Sequence, residues 1–163
     1  MSRVVHQALA AAAGFWLAAG AAMAAPPLEA VVTQVIDGQT VLLAPAGAAP
    51  VTLRLAGIEA PLLCQPWGIE ARDALKDWVL NRAVVVKPAG RDGKGGVLGS
   101  VLLAGDDINR RLVEEGHAWS ARVKWDHGPY VKQERMARAL GRGLHAAGGA
   151  LMPQDFRRSH GPC

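Results

Sequence analysis

The chain is poor in aromatic side chains, with one tyrosine, two phenylalanines and five tryptophans in 163 residues. Few of them are placed to stand exposed, so a surface built mainly from ring stacking is not expected. Cysteine is scarcer still: Cys64 and Cys163 are the whole complement, which allows one disulfide at most. Beyond residue 24 no apolar run approaches the ~20 residues that a membrane-crossing helix needs. No internal repeat or low-complexity segment occurs apart from an alanine-rich leader and the loop "APAGAAP", so a solenoid or repeat array is excluded.

What is present begins with a leader. Arg3 supplies a positive start, Ala8 to Ala21 is apolar and uncharged, and Ala22-Met23-Ala24 is a small-x-small cleavage signal followed by Pro26-Pro27. This pattern predicts a secretory signal peptide over residues 1–24. The expected product is an exported protein, periplasmic or secreted, with no membrane attachment after cleavage. The remaining 139 residues, 25–163, are the size of one domain. In an exported chain two cysteines most often pair, so a Cys64–Cys163 disulfide is expected. A metal or redox role for Cys163 with His160 is the competing reading.

Charge is uneven. Residues 25–106 hold seven basic and eight acidic side chains, whereas residues 107–163 hold ten basic and six acidic. The C-terminal third is therefore where a polyanion would be attracted, through Arg110, Arg111, Lys132, Arg135, Arg138 and Arg142. A plain solvated surface is the alternative.

Along the chain, Leu28 to Val35 and Thr40 to Leu43 read as strands around an Asp37-Gly38 turn. "VTLRLAGI" alternates, with Val51, Leu53 and Leu55 on one side and Thr52 and Arg54 on the other. A helix opens near Pro66, carries Ala71, Ala74, Leu75 and Trp78, and ends near Asn81. "AVVVK" and "VLGSVLL" are strands separated by the loop "PAGRDGKGG". Asp106 or Asp107 caps the next helix, whose inner face includes Ile108 and Leu112, and Gly116 ends it. Gly128-Pro129 opens a last helix with Tyr130, Ala137, Leu140 and Leu144 inward, and Trp119 belongs to the core. Three strands, a helix, two strands and two helices make an α+β, mainly β arrangement. It is a five-stranded OB-type barrel with three helices.

The stretches "VTQVIDGQTVLL", "LRLAGIEAP", "QPWGIEARDALKDWV", "INRRLVEEGHAW" and "YVKQERMARALGRGLH" come in an order and spacing that resemble the thermonuclease family, the staphylococcal-nuclease-like domain. The resemblance covers about residues 28–158 and leaves 159–163 as a tail. It implies an OB-type barrel and, in the family, hydrolysis of DNA or RNA with bound calcium. Cleavage of a phosphodiester by water needs a metal to polarise the phosphate, a base or water-positioner, and cationic donors for the developing charge.

Carried over by position, the resemblance gives an altered site. The family's metal-binding Asp in the turn falls on Gln39, an amide and a poor ligand for a hard cation. The first phosphate-holding arginine is kept as Arg54, and the second carboxylate becomes Glu59. The water-positioning Glu falls on Leu62, and no other carboxylate occurs between Glu59 and Glu70. The second arginine falls on Gly96, with Lys94 the nearest stand-in. The expected remnant is Arg54 and Glu59, either as residual catalytic groups or as an ion pair at the barrel mouth. Asp37 and Glu59 are what is left of a metal site.

Two functions follow as expectations. The first is a catalytically degenerate domain acting as a binding or structural module, with weak nucleic-acid binding through backbone charge and no cofactor. The second is a calcium-dependent nuclease with a site rebuilt from Glu59, Asp37 and Lys94. A third class is metal handling by His160 and Cys163 with His117, His127 or His145. No protein partner can be named.

Overall fold

The computed structural model describes residues 26–93 and 95–163. The expected leader, residues 1–24, and Lys94 lie outside the described residues. The elements are β1 (Leu28–Asp37), β2 (Thr40–Pro45), β3 (Val51–Leu55), β4 (Ile58–Glu59), α1 (Gly68–Val79), β5 (Ala83–Arg91) and β6 (Val97–Leu103). They continue with β7 (Asp106–Asp107), α2 (Ile108–Glu114), β8 (Trp119–Ser120), α3 (Val131–Ala139), a 3-10 turn (Gly143–His145) and α4 (Pro153–His160).

Alternation builds the barrel. In β2 the side chains of Val41 and Leu43 turn inward, in β3 Leu53 and Leu55, and in β5 Val84 and Val86. This period of two gives each strand one apolar face. The strands pair in the order β3-β2-β1-β5-β6-β7, and a parallel pairing of β3 with β6 closes five of them into a barrel. Two register shifts interrupt β1 against β2, between Val32 and Gln34 and between Val35 and Asp37. Such bulges sharpen the local twist and help a small sheet to close. Leu75 and Val79 of α1, and Ile108, Leu112 and Val113 of α2, complete the core, and Trp119 is fully buried.

A buried polar side chain fastens the helices to the barrel mouth. Asn109 accepts from the Val101 N–H at 3.1 Å and donates to the carbonyls of Ala56 and Gly99 at 2.9 and 3.2 Å. It ties the start of α2 to β6 and to the turn that follows β3. Asp107, not Asp106, caps α2 by accepting from the Arg110 N–H, and Gly116 leaves the helix with φ 76°.

Three expectations are corrected. There are four helices among the described residues: the segment "PQDFRRSH" forms α4. The strand "AVVVK" runs on to Arg91, because Pro88 and Gly90 fall at a register shift, where a missing ladder donor is tolerated. The last helix ends at Ala139, so Leu140 is exposed, and Gly141 and Gly143 turn the chain with positive φ. Leu144 is buried as expected, but from the 3-10 turn.

Candidate functional site

The turn between β1 and β2 is held by Asp37, whose Oδ1 accepts from the Gln39 N–H at 2.9 Å. Gln39 itself is buried, and its Oε1 accepts from the Ala60 N–H at 3.0 Å. The Gln39 carbonyl accepts from the Leu55 N–H at 2.8 Å. The amide that replaces the expected metal-binding carboxylate is therefore a crosslink between the turn and the segment after β4.

Arg54 leaves β3 on its outer face, opposite Leu53 and Leu55, and meets Glu59 at 3.4 Å. Both side chains are about one-third exposed. In solvent contact such a pair contributes little to stability, but it occupies both groups with one another. β4 pairs with β8, placing Glu59 opposite Trp119 and Ile58 opposite Ser120.

A cleft of about 1020 Å³ opens beside this pair. It is bordered by Asp37, Thr40, Arg54, Arg91, Asp92 and Gly96. Arg91 and Asp92 stand in a glycine-rich run whose sequence reads as plain loop. Arg91 donates to the Gly95 carbonyl at 3.0 Å, and Asp92 Oδ1 accepts from the Gly96 N–H at 2.7 Å. Leu62 lies to one side: half-buried, with its N–H donating to Gln65 Oε1 at 3.2 Å. It has no polar side-chain atom with which to position a water.

The donor set does not suit calcium. Such an ion takes six to eight oxygens, several of them carboxylate. Here Gln39 Oε1 is committed to a backbone N–H, Asp37 Oδ1 to the turn, and Glu59 to Arg54. Among the described residues no group of three or more His, Cys, Asp or Glu side chains is placed to hold a metal ion.

The C-terminal tail is also spoken for. Cys163 is disulfide-bonded to Cys64 across 99 residues of sequence, with the two Cα atoms 5.7 Å apart. It has no thiol to offer beside His160, which stacks on Phe156 of the same helix at 4.3 Å. The other histidines are dispersed. His117 lies between Trp67 and Trp78, accepting at Nδ1 from the Trp67 indole N–H at 3.2 Å. Burial holds its imidazole below the usual 6.5, against the pull of Glu115 and Glu70. His145 sits edge-on to Trp119 and is lowered in the same way by burial, with Arg138 adding to it. His127 borders a small hollow with Arg122, Glu134, Arg135 and Arg138.

The six basic residues divide. Arg110 pairs with Asp106 at 2.7 Å and Glu114 at 2.5 Å. Arg111 lies 4.2 Å over the Trp78 ring, Arg138 pairs with buried Glu134 at 2.7 Å, and Arg142 meets Glu115 at 3.5 Å. Lys132 and Arg135 are exposed on α3 and have no ion-pair partner among the described residues. The free cationic surface is thus narrower than a count of basic residues suggests. The expected shortage of exposed rings has one clear exception, Trp125, at 95% exposure.

Comparison with known proteins converges on one family. The sequence pattern of the family described as "Staphylococcal nuclease homologue" matches residues 52–146. An uncharacterized endonuclease of Haemophilus influenzae is 30% identical, covering 78% of this chain and 71% of its own. Protein ParB of Escherichia coli is 31% identical, covering 97% and 95%. A probable staphylococcal-like nuclease of Oryza sativa subsp. japonica is 33% identical over 65% of this chain. The chain spans only 29% of that plant protein's length.

Proposed function

The chain belongs to the staphylococcal nuclease homologue family, and from that premise we propose that it is an exported nuclease-fold module that has lost calcium-dependent catalysis. In this reading it retains weak binding of single-stranded nucleic acid through the phosphate backbone. The observation that carries the reading is Gln39: the position that should bring charge to a metal instead brings a buried amide pinned to the Ala60 N–H.

The chemistry argues in the same direction. Loss of a general base costs roughly 10²–10⁴ in rate. Loss of one donor to the developing charge costs roughly 10²–10³. The two need not multiply, because groups acting as a unit are not additive. Leu62 removes the first contribution and Gly96 the second. What stays useful is the barrel cleft, bordered by Arg54 and Arg91, whose guanidinium groups are of the kind that bind phosphate oxygens. The disulfide supports the exported part of the reading, since such bonds persist in oxidising compartments.

One observation favours a second reading, an active nuclease. Arg91 and Asp92 share the cleft with Asp37 and Arg54, so Arg91 supplies a second guanidinium where Gly96 has none. The deciding experiment is incubation of the purified protein with single-stranded DNA and RNA, with and without calcium. The expected result is no cleavage above a buffer control. Calcium-stimulated cleavage that Glu59→Gln or Arg91→Ala abolishes would establish the rebuilt site instead.

A further inference from the structure

Trp125 is the most exposed large apolar side chain among the described residues, at 95%, with Val123 next at 69%. It stands at the tip of a two-residue hairpin loop. Val123 and Asp126 exchange both backbone hydrogen bonds, at 3.1 and 2.9 Å, and Lys124 between them has φ 54°. The left-handed conformation of a lysine is held in place by what surrounds it. The Ala121 N–H donates to the Gly57 carbonyl at 2.9 Å, Arg122 to Glu134 at 3.0 Å, and the Gly128 N–H to Asp126 Oδ1 at 2.9 Å. The tip is therefore a braced projection, with both faces of the indole in water.

The hairpin leaves directly from β8, which pairs with β4. Arg122, at its base, borders one hollow together with Glu59. Glu59 pairs with Arg54, and Arg54 lines the cleft. The cleft, the ion pair and the hairpin thus form one continuous border. The hairpin's flanks carry more basic than acidic side chains, Arg122 and Lys124 against Asp126, with Arg135 of α3 in the hollow beside His127. Lys124 and Arg135 have no ion-pair partner among the described residues.

We propose that Trp125 is the base-stacking residue of this protein, and that a single-stranded nucleic acid leaving the Arg54 and Arg91 cleft lays a base on its indole. This rests on the binding reading above and gives it a site. Proteins that hold single strands without sequence preference combine a cationic track with an aromatic platform, because every base has a π-face. The pieces here are of those two kinds and are contiguous. A lipid surface would call for several apolar side chains inserted together, whereas this tip offers one ring and one valine amid charges.

The test is fluorescence anisotropy of a labelled oligothymidylate of about ten nucleotides, within the span of one such barrel, at low salt. Trp125→Ala should weaken binding about tenfold, and Trp125→Phe should stay within about threefold. The salt slope should be unchanged in both, because no phosphate contact is removed. A strand of the same length made of abasic units should bind the unaltered protein as weakly as the oligothymidylate binds Trp125→Ala. Thermal melts of both variants should match the parent, since the side chain packs on nothing. Equal binding by Trp125→Ala and the parent would overturn the inference alone, leaving the nucleic-acid reading in place. No binding by the parent would overturn both. Loss of binding to phosphatidylserine vesicles, with oligothymidylate binding intact, would make the hairpin a membrane contact and overturn the inference.

Discussion

Gln39 Oε1 accepts a hydrogen bond from the backbone N–H of Ala60, 21 residues away. Both residues are buried, Ala60 to 1% exposure. The bond explains why an amide can persist where a metal-binding turn would carry a carboxylate. Gln39→Ala should leave the Ala60 N–H without a partner and cost about 1–3 kcal/mol. Gln39→Asp is one methylene shorter and should lose the same bond. In urea unfolding both variants should show a lower midpoint at unchanged slope. Unchanged midpoints would mean that water or a neighbour replaces the amide at no cost.

Gly96 is the second altered position, and its constraint is crowding, since its φ is not among the positive ones. A Cβ there would meet Asp92 Oδ2 at 2.9 Å and the Thr52 carbonyl at 3.1 Å. Gly96→Ala must displace the end of the Asp92 side chain and press on the Thr52 carbonyl, so its effect on stability should stay within about 1 kcal/mol, and Gly96→Arg should cost more. Restoring the family's full charge set (Gln39→Asp, Leu62→Glu and Gly96→Arg) should raise calcium affinity while lowering stability. Calorimetric calcium titration beside a thermal melt separates the two effects.

The barrel was legible in the sequence because its signal is local. Val51, Leu53 and Leu55 alternate with Thr52 and Arg54, and the structure keeps that alternation. The site was legible only as a set of residue types. That Gln39 would reach Ala60 depends on a contact across 21 residues, which no local pattern encodes. Helix α4 was missed because it buries only Pro153 and part of Phe156, so it has no apolar stripe to read. Arg91 and Asp92 were hidden by the glycines around them. Trp125 was hidden because exposure follows from the hairpin geometry rather than from the residue type.

His117 makes stability pH-dependent. Its imidazole is held neutral by burial between Trp67 and Trp78, so its folded value lies below the unfolded 6.5. A group depressed in this way contributes stability that is present above 6.5 and is lost as the pH falls through the folded value, because the unfolded chain takes up the proton first. Melting temperature should fall between pH 7 and the range below 6.5, and His117→Gln should flatten that fall. An unchanged slope in the variant would assign the dependence to other groups, His145 first among them.

Arg54 and Glu59 should behave as a functional remnant more than a structural one. At about one-third exposure their pairing should be worth under about 1 kcal/mol, so Glu59→Gln and Arg54→Ala should each melt close to the parent. Their effects on oligothymidylate binding should have opposite signs. Glu59→Gln frees the guanidinium and should tighten binding, whereas Arg54→Ala removes a phosphate donor and should weaken it and flatten its salt dependence. Equal effects of the two variants would place the strand away from this pair.

The tail is held by its covalent bond more than by packing. Beneath it lies a cavity of about 340 Å³ bordered by Trp67, Leu144, Leu151 and Phe156. Among the described residues the tail's non-covalent ties include the Gln65 Nε2 bond to the Leu151 carbonyl and the buried Pro153. The disulfide closes a separation of 99 residues, for which chain entropy gives up to about 4.7 kcal/mol of stabilisation. Reduction, or Cys64→Ser, should therefore lower the melting temperature. It should also release residues 146–163 before the barrel unfolds. Limited proteolysis followed by mass spectrometry should find early cuts in the segment "AAGGALM" of the reduced protein, none in the oxidised protein, and an intact core from β1 to the 3-10 turn in both. Protection of that segment after reduction would show that packing alone is enough to hold α4, and that the disulfide is redundant for its position.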